Sequence, residues 1–345
     1  MSPSSTSSSD DEANAPAGFG RLDVRAALLA LAVLVAVELG VVRSGYLWRR
    51  APNTMVGAFY GIEREVLAKA PPPKVVFLGS SRMRDAVDPR ELEEELTLSR
   101  GGVLNLGLTG GTPFEAHLFY ARHRPLLKQA RVIVVGVEDW YWNAGTPRDE
   151  VERAFATFGD RFRWFEERHE IGDLVGGVWR TAEVQDPLVR FGLSFAKGVK
   201  PVKFKDDRMV WRAPSEARDI GPATTNVQGP IAHMMQGFRI GPAHEDSLRA
   251  LLREAHADGV RVVLTQLPLR AAYVDELERL YPAILPHLRE RTAALAAENG
   301  AEVKLYDRGT SLGIPDDRFY DYGHFTVDGS RRMNAVWKDL LGDVQ

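Results

Sequence analysis

Short apolar runs alternate with stretches of helical spacing along most of the chain. Runs rich in Val, Ile, Leu and Phe are typical of buried strands; they occupy residues 74–79, 103–108, 132–137, 260–266 and 303–306. Helical patterns lie between and after them, at residues 88–98, 112–129, 244–257, 272–299 (broken near Pro282 and Pro286) and 327–341. Strands that alternate with helices predict an α/β fold with helices on both faces of a parallel sheet. We therefore expect a doubly wound, mostly parallel sheet of five strands in flavodoxin-like order, in a domain over residues 74–345.

Residues from about 141 to 242 interrupt this alternation. They carry charged helical pieces and then a Gly- and Pro-rich stretch over 221–242. The pattern predicts a helical insertion after the third strand. The insertion either covers the functional edge as a lid or substrate platform, or only packs at the periphery, and the sequence leaves both open.

The N-terminal part has three segments of different composition. Residues 1–25 begin with a Ser-, Asp- and Pro-rich stretch that predicts a disordered tail. Residues 26–48 are almost wholly apolar and end in Tyr46, Leu47 and Trp48, which indicates a transmembrane helix with an interfacial aromatic anchor. Residues 49–73 end in three prolines and are interpreted as a connector.

Two other interpretations of the apolar segment are a signal peptide and a buried amphipathic helix. A signal peptide is disfavoured because a 25-residue polar tail precedes the segment and no clear small-x-small cleavage site comes before Arg43. The flanking charges do not settle the orientation: by local count they slightly favour a cytoplasmic domain, with Arg21 and Arg25 on one side and Arg43, Arg49 and Arg50 on the other.

Composition excludes several kinds of chemistry. The 345 residues carry a net charge of −3, and the Lys and Arg residues are scattered, so no nucleic-acid partner is expected. The absence of cysteine excludes disulfides, thiolate metal sites and a cysteine nucleophile. No His, Asp and Glu residues have metal-ligand spacing, so we expect neither a metal nor another cofactor.

Candidate chemistry lies where the predicted strands end. Ser81 follows the first strand in Gly79-Ser80-Ser81-Arg82, and Asp321-x-x-His324 follows the fifth. Because ligands bind beyond the carboxyl ends of such strands, these side chains are expected to meet. Together they supply a nucleophile, a base and a group that orients the base. Taken singly, the serine segment is a weak signal that also fits a helix cap or turn, and a lone Asp-x-x-His is better interpreted as a polar loop before the last helix. The pairing of the two segments at the strand ends favours catalysis.

A glycine-rich turn, Asn105 to Gly111, follows the second predicted strand. Its backbone N–H groups could stabilise an oxyanion. The spacing fits neither a dinucleotide fingerprint nor a phosphate loop, and a purely structural turn stays open. Arg82 could bind an anionic substrate or simply be solvated.

This ordered set resembles the SGNH/GDSL hydrolase superfamily over about residues 74–341. The elements that carry the resemblance are Gly79-Ser80-Ser81-Arg82, Asn105-x-Gly107, and Asp321-x-x-His324 before the last helix. The chain is most similar to the membrane-anchored branch that includes the D-alanyl transfer protein of teichoic acids and the alginate O-acetylation proteins.

The resemblance implies a role for each matching residue. Ser81 would be the acylated nucleophile, His324 the general base and Asp321 the residue that orients it. The oxyanion hole would use the N–H groups of Ser81 and Gly107. Soluble members have Gly-x-Asn-Asp where this chain has Gly136-Val137-Glu138-Asp139, so a side-chain donor would have to come from elsewhere, such as Asn143. Substrate-binding residues would be Arg82, Asn105, Glu138 and Asp139.

The expected function is that of a membrane-anchored serine O-acyl esterase or O-acetyltransferase. Its substrate would be an acylated cell-envelope polysaccharide or similar ester, its domain would lie outside the cytoplasm, and a membrane-bound O-acyltransferase would be a partner. One alternative is a weak or inactive relative that binds or assembles polymer. Another is a cytoplasm-facing protein that the helix only tethers.

Overall fold

A five-stranded parallel sheet forms the centre of the molecule. The computed structural model describes residues 21–51, 54–146, 148–197, 227–241 and 244–344. The strand order is β2-β1-β3-β4-β5, and all four pairings are parallel. The predicted sheet and its order are therefore confirmed. The strands are β1 (Val75–Leu78), β2 (Val103–Asn105), β3 (Val132–Gly136), β4 (Arg261–Gln266) and β5 (Glu302–Leu305).

Sixteen α-helices surround the sheet in the described part of the chain. Before and between the first strands are α1 (Arg21–Val37), α2 (Tyr46–Arg50), α3 (Met55–Gly61), α4 (Ser81–Asp85), α5 (Pro89–Glu95), α6 (Pro113–Arg122) and α7 (Arg124–Leu127). After β3 come α8 (Glu150–Phe155), α9 (Phe158–Arg168), α10 (Ile171–Val178), α11 (Gln185–Ala196), α12 (Gln228–Met234) and α13 (Glu245–Ala257). The last are α14 (Ala271–Leu280), α15 (Ile284–Asn299) and α16 (Val327–Leu341).

Strands β1 to β4 are buried on both faces, which explains their largely continuous apolar runs, whereas the edge strand β5 is partly exposed. In β1, Val75 and Phe77 point into one core cluster, whereas Val76 and Leu78 point into the other. Helices α6, α13 and α15 cover the second face, and α5 and α16 cover the first. This arrangement confirms the predicted doubly wound fold.

Local sequence signals account for most helix ends. Asp88 caps α5 ahead of Pro89, and Thr112 and Glu115 form a capping box at the start of α6. The predicted break near Pro282 is present between α14 and α15. The break predicted near Pro286 is wrong, because this proline lies in the first turn of α15, where no backbone N–H is needed.

Helix α1 continues through a π-helical turn, Glu38–Arg43. The segment Val24–Arg43 is long and apolar enough to cross a membrane and is mostly exposed. The predicted disordered tail lies outside the described residues up to position 20. Its last five positions are helical instead, since α1 begins at Arg21.

Residues 55–67, predicted as part of a connector, are helical and contribute to the main core. Helix α3 continues as the π-helical segment Ile62–Leu67. Phe59 is buried and stacks on Phe119 of α6 with ring centroids 4.3 Å apart. Trp48 is buried as well, so it packs inside the protein instead of serving as an interfacial anchor.

The expected helical insertion after the third strand is confirmed and runs from α8 to α12. Helix α8 packs on α3, and α11 packs on α2. Of these helices, α12 approaches the carboxyl edge of the sheet, where Met234 Sδ lies 3.5 Å from a guanidinium nitrogen of Arg82. The helices α8 to α11 therefore lie mainly against the N-terminal helices.

Candidate active site

The chain turns sharply from β1 into α4 at Gly79. This residue has φ of +152°, and a Cβ there would lie 3.1 Å from Met83 Cβ, so a side chain would be strained. Ser80 caps α4, since its Oγ accepts from the backbone N–H of Arg82 at 3.0 Å. Ser81 is the first residue of the helix and is half-buried. The turn therefore presents the Ser81 hydroxyl at the carboxyl edge of the sheet.

The three residues predicted as a triad lie together. Ser81 Oγ is 2.7 Å from His324 Nε2, and His324 Nδ1 is 2.8 Å from Asp321 Oδ2. The other Asp321 oxygen accepts from the backbone N–H groups of Gly323 and His324, each at 2.9 Å. The turn over residues 321–324 holds the Asp321 carboxylate against the His324 imidazole. The fold places Ser81, which is 243 residues away in the chain, next to the other ring nitrogen, Nε2.

The surroundings keep Asp321 ionised. Burial favours its neutral form, but hydrogen bonds from His324 and from two backbone N–H groups outweigh burial and lower the pKa of the carboxyl. An ionised Asp321 accepts from Nδ1–H, which leaves Nε2 as the acceptor facing Ser81. Tyr320 stacks on the His324 ring at 5.3 Å and limits its rotation.

Gly107 does not serve as a free oxyanion donor, contrary to expectation. Its N–H donates to Asn105 Oδ1 at 3.1 Å. A Cβ at this position would lie 2.6 Å from the backbone nitrogen of Arg84 and 2.8 Å from the Ser80 carbonyl oxygen. Glycine is needed here because two backbone segments approach each other closely.

Asn105 and Asn143 are also structural. The Asn105 amide donates to the carbonyls of Arg84 at 3.0 Å and Val87 at 3.3 Å, so it secures the end of α4 instead of a substrate. Asn143 is fully buried, and its amide donates to the carbonyls of Met234 and Gln236, each at 3.1 Å. Both of its N–H groups are occupied, so the predicted side-chain oxyanion donor is wrong.

The backbone N–H of Ser81 is the oxyanion donor that the geometry leaves available. It belongs to the first residue of α4 and so has no acceptor within the helix. It makes no hydrogen bond to another part of the described chain. The free N–H and the candidate nucleophilic hydroxyl therefore both belong to Ser81.

Arg82, Glu138 and Asp139 were expected to bind substrate, but all three side chains are buried. Arg82 Nη1 lies 2.6 Å from Glu138 Oε2 and 2.9 Å from Asp139 Oδ1. Glu138 also accepts a hydrogen bond from the Ser80 hydroxyl. These residues therefore form an internal ion-pair network directly beneath the serine turn.

The two carboxylates of this network offset the cost of burying the Arg82 guanidinium. Burial opposes the charge on Arg82, but the two carboxylates outweigh burial and raise its pKa well above the ordinary value. Burial raises the pKa of Glu138 despite the nearby guanidinium. Arg82 is thus a permanent cation committed to protein carboxylates.

Sequence reasoning missed the aromatic residues that join this network to the histidine loop. The guanidinium of Arg82 lies 5.1 Å from the ring of Tyr322 and 5.7 Å from that of Tyr273. The hydroxyl of Tyr273 donates to Asp139 at 2.6 Å. Tyr322 was visible within the Asp-Tyr-Gly-His segment, whereas nothing in the sequence marks Tyr273 of α14.

The described residues contain no group of three or more His, Asp or Glu side chains that could hold a metal ion. A cavity of about 430 Å³ lies away from the triad, between the N-terminal helices and the insertion. Val42, Tyr60, Phe155 and Arg180 are among its lining residues.

Comparisons with known proteins add little to this geometry. No family model matches the chain, and no curated protein matches it. Among solved structures, the chain is similar to a "putative acylhydrolase" from Bacteroides fragilis. The identity is 14%, the TM-score is 0.36, and the alignment covers 82% of this chain and 97% of the other. This likeness is too slight to bear on fold or chemistry.

Proposed function

We propose that this protein is a serine acyl-transfer enzyme in which Ser81 is the nucleophile, His324 the general base and Asp321 the residue that orients it. The observation that carries the proposal is the unbroken relay from Ser81 Oγ through both ring nitrogens to the Asp321 carboxylate, at 2.7 and 2.8 Å. An N-cap serine and a loop histidine need no such alignment. The relay is the arrangement that acyl transfer requires.

The proposed reaction has two halves. Ser81 Oγ attacks the carbonyl carbon of an ester while His324 Nε2 takes the hydroxyl proton, and the Ser81 N–H donates to the resulting oxyanion. Collapse breaks the ester bond, His324 returns the proton to the leaving alcohol, and an acyl-serine remains. In the second half an acceptor hydroxyl loses its proton to His324 and attacks the acyl-serine, which regenerates Ser81.

The acceptor distinguishes an esterase from a transferase. Water as acceptor gives hydrolysis, and a sugar hydroxyl gives an O-acylated product. Of the three predicted oxyanion donors, the Ser81 N–H is free, whereas the Gly107 N–H and the Asn143 amide donate elsewhere in the described chain. A single missing donor raises the barrier by about 3 kcal/mol. Because this cost applies to water and to an alcohol alike, we propose slow turnover with either acceptor. Transfer would then prevail only where a bound acceptor alcohol excludes water from the acyl-serine.

The substrate class and location are proposed from two sources. The motifs resemble the membrane-anchored branch of the SGNH/GDSL superfamily, which modifies cell-envelope polymers. The segment Val24–Arg43 could hold the domain at a membrane. We propose an O-acyl ester on an envelope polysaccharide, an extracytoplasmic domain and a membrane-bound O-acyltransferase as partner.

A fluorophosphonate probe tests the nucleophile directly. The full chain is used in detergent, because a fragment starting at residue 50 would lose the buried Leu47 and Trp48. The probe should label the wild type and the control Ser99→Ala, an exposed serine, but neither Ser81→Ala nor His324→Ala. Equal labelling of Ser81→Ala, or no labelling of the wild type, would refute the proposal.

Product analysis then separates the two acceptors. The full chain is incubated with p-nitrophenyl acetate, with and without a soluble oligosaccharide. Transfer predicts faster p-nitrophenol release with the sugar and acetyl groups on the sugar. An esterase predicts free acetate at an unchanged rate.

A further inference from the structure

Helix α10 exposes an apolar face. Ile171, Val175 and Val178 are 69%, 47% and 67% exposed. Their spacing of four and three residues places them on one side of the helix. The exposed side of a helix in water normally carries polar residues. On α10 the exposed side carries apolar residues instead, which indicates that it contacts something other than water.

The two neighbouring helices repeat the pattern. On α11, Val189 and Leu193 are exposed and lie four residues apart. On α9, Phe158 and Phe162 are exposed with the same spacing. Three consecutive helices of the insertion therefore turn large apolar side chains outward. We call this set the apolar insertion face: Phe158, Phe162, Ile171, Val175, Val178, Val189 and Leu193.

Polar contacts fix this face to the end of the apolar N-terminal helix. Arg43 Nη2 donates to the carbonyl oxygens of Val178 at 2.9 Å and Gly177 at 3.2 Å. The Glu38 carboxylate accepts from the backbone N–H groups of Thr181 at 2.8 Å and Arg180 at 3.1 Å. The C-terminal end of α10 is thereby held where the segment Val24–Arg43 ends.

Exposed apolar side chains lie on both sides of this junction. Leu28, Leu29 and Leu31 are exposed along α1, and Leu39 is exposed between Glu38 and Arg43. Any medium that surrounds α1 must also reach the end of α10, since the two are joined there. Hydrocarbon is the medium that suits an exposed helix of this length and composition.

We propose that the apolar insertion face lies on the surface of a lipid bilayer around α1, with its side chains at the boundary between headgroups and acyl chains. Short amphipathic helices bind membranes in this way. The domain would then contact the membrane through two attachments instead of one flexible tether, which fixes its orientation. The proposal concerns α9, α10 and α11 and does not depend on catalysis by Ser81.

Single cysteines can test the contact because the chain has none of its own. Ile171→Cys, Val178→Cys, Val189→Cys and Leu193→Cys are each labelled with an environment-sensitive fluorophore in the full chain, reconstituted into phosphatidylcholine vesicles. Leu34→Cys in α1 reports on the anchor. Lys338→Cys is the aqueous control, since it is exposed on α16 against the opposite face of the sheet.

Quenching by spin-labelled lipids gives the result, with the spin label near the headgroup for the insertion positions and for 338, and near the end of the acyl chain for Leu34→Cys. The four insertion labels should be quenched at least twofold more than the label at 338 and should resist aqueous iodide. Labels that behave like 338 while Leu34→Cys is quenched would overturn the lipid contact and leave the anchor intact. Labels protected from both quenchers would mean that another part of this chain or a second copy covers the face, which also overturns it.

Discussion

Arg82 and Glu138 form a buried ion pair beneath the candidate nucleophile, with 2.6 Å between Nη1 and Oε2 and each side chain 4% exposed. Glu138 also binds the hydroxyl of Ser80, the residue before the nucleophile. Arg82 in turn lies under the ring of Tyr322, two residues before His324. One ion pair thus joins the two segments whose alignment the proposed chemistry needs.

Replacing Arg82 by methionine should destabilise the fold by about 3–5 kcal/mol, because two buried carboxylates would lose their counter-ion. Thermal unfolding of the full chain in detergent measures this loss. Arg90→Met, at an exposed position in α5, is the control and should change stability by less than about 0.5 kcal/mol. An Arg82→Met protein as stable as wild type would contradict the compensated network.

A triple variant separates loss of charge from loss of packing. Arg82→Met with Glu138→Gln and Asp139→Asn leaves no unpaired charge in the network and should recover part of the lost stability. If the triple substitution is no more stable than Arg82→Met alone, the cost came from the lost contacts with Tyr273 and Tyr322.

Asp321→Asn should reduce the rate constant for labelling of Ser81 by fluorophosphonate about 10³-fold or more. An asparagine amide would donate to His324 Nδ1, so Nε2 would carry the proton and could not accept one from Ser81. The rate is measured as label incorporated against time at several probe concentrations. Asp317→Asn, an exposed carboxylate four residues earlier, should label at the wild-type rate. Equal rates for Asp321→Asn and wild type would remove Asp321 from the mechanism.

Several parts of the fold could be predicted because single segments encode them. Strand runs buried on both faces, the Asp88-Pro89 start of α5 and the helix Val327–Leu341 depend on local pattern alone. Ser81, Asp321 and His324 could be placed at one edge because each directly follows a strand or precedes the last helix.

The roles of single polar side chains could not be predicted, because they depend on hydrogen-bond and ion-pair partners that lie far away in the chain. The sequence identifies an asparagine at 143 but not that two carbonyls of the insertion occupy its amide. It identifies Arg82 beside a serine, but whether the guanidinium faces solvent or Glu138 depends on where the fold places the residues that follow β3. The sequence predicts a connector over residues 55–67 because the apolar side chains of this segment form a core only when they pack against α6 and α8, which lie far away in the chain.

The free energy of unfolding should fall at alkaline pH because two buried carboxyl groups, Glu115 and Asp149, then lose their protons. Burial, together with the nearby Asp149 and Glu152, raises the pKa of Glu115 well above its ordinary value. Burial and Glu152 likewise raise the pKa of Asp149 to about 8, and the two carboxyls share a hydrogen bond. A folded-state pKa above the unfolded value means that this stabilisation is complete below about pH 4 and is lost as the pH rises through the folded values.

Glu115→Gln should relieve this alkaline loss. Glutamine donates through an amide N–H where protonated Glu115 donates through its O–H, and it has no proton to release. The variant should therefore gain stability over wild type as the pH rises from 5 to 9. Unfolding temperature across this range measures it. Glu94→Gln, an exposed glutamate in α5, should follow the wild-type curve. Parallel curves for wild type and Glu115→Gln would show that the pair does not titrate as argued.

Glu38→Leu should release the insertion from α1 without making α1 less apolar. The Glu38 carboxylate accepts from the N–H groups of Arg180 and Thr181 and from Arg43 Nε at 2.6 Å. Hydrogen bonds to a charged group contribute about 1.5–3 kcal/mol each, so losing even one should make local opening roughly 10- to 100-fold more frequent. Limited trypsin digestion of the full chain should then cleave within α9 to α11 faster by that factor, whereas Leu39→Ala, at the exposed neighbouring position, should digest like wild type. Unchanged cleavage in Glu38→Leu would mean that apolar packing alone holds the insertion against the N-terminal helices.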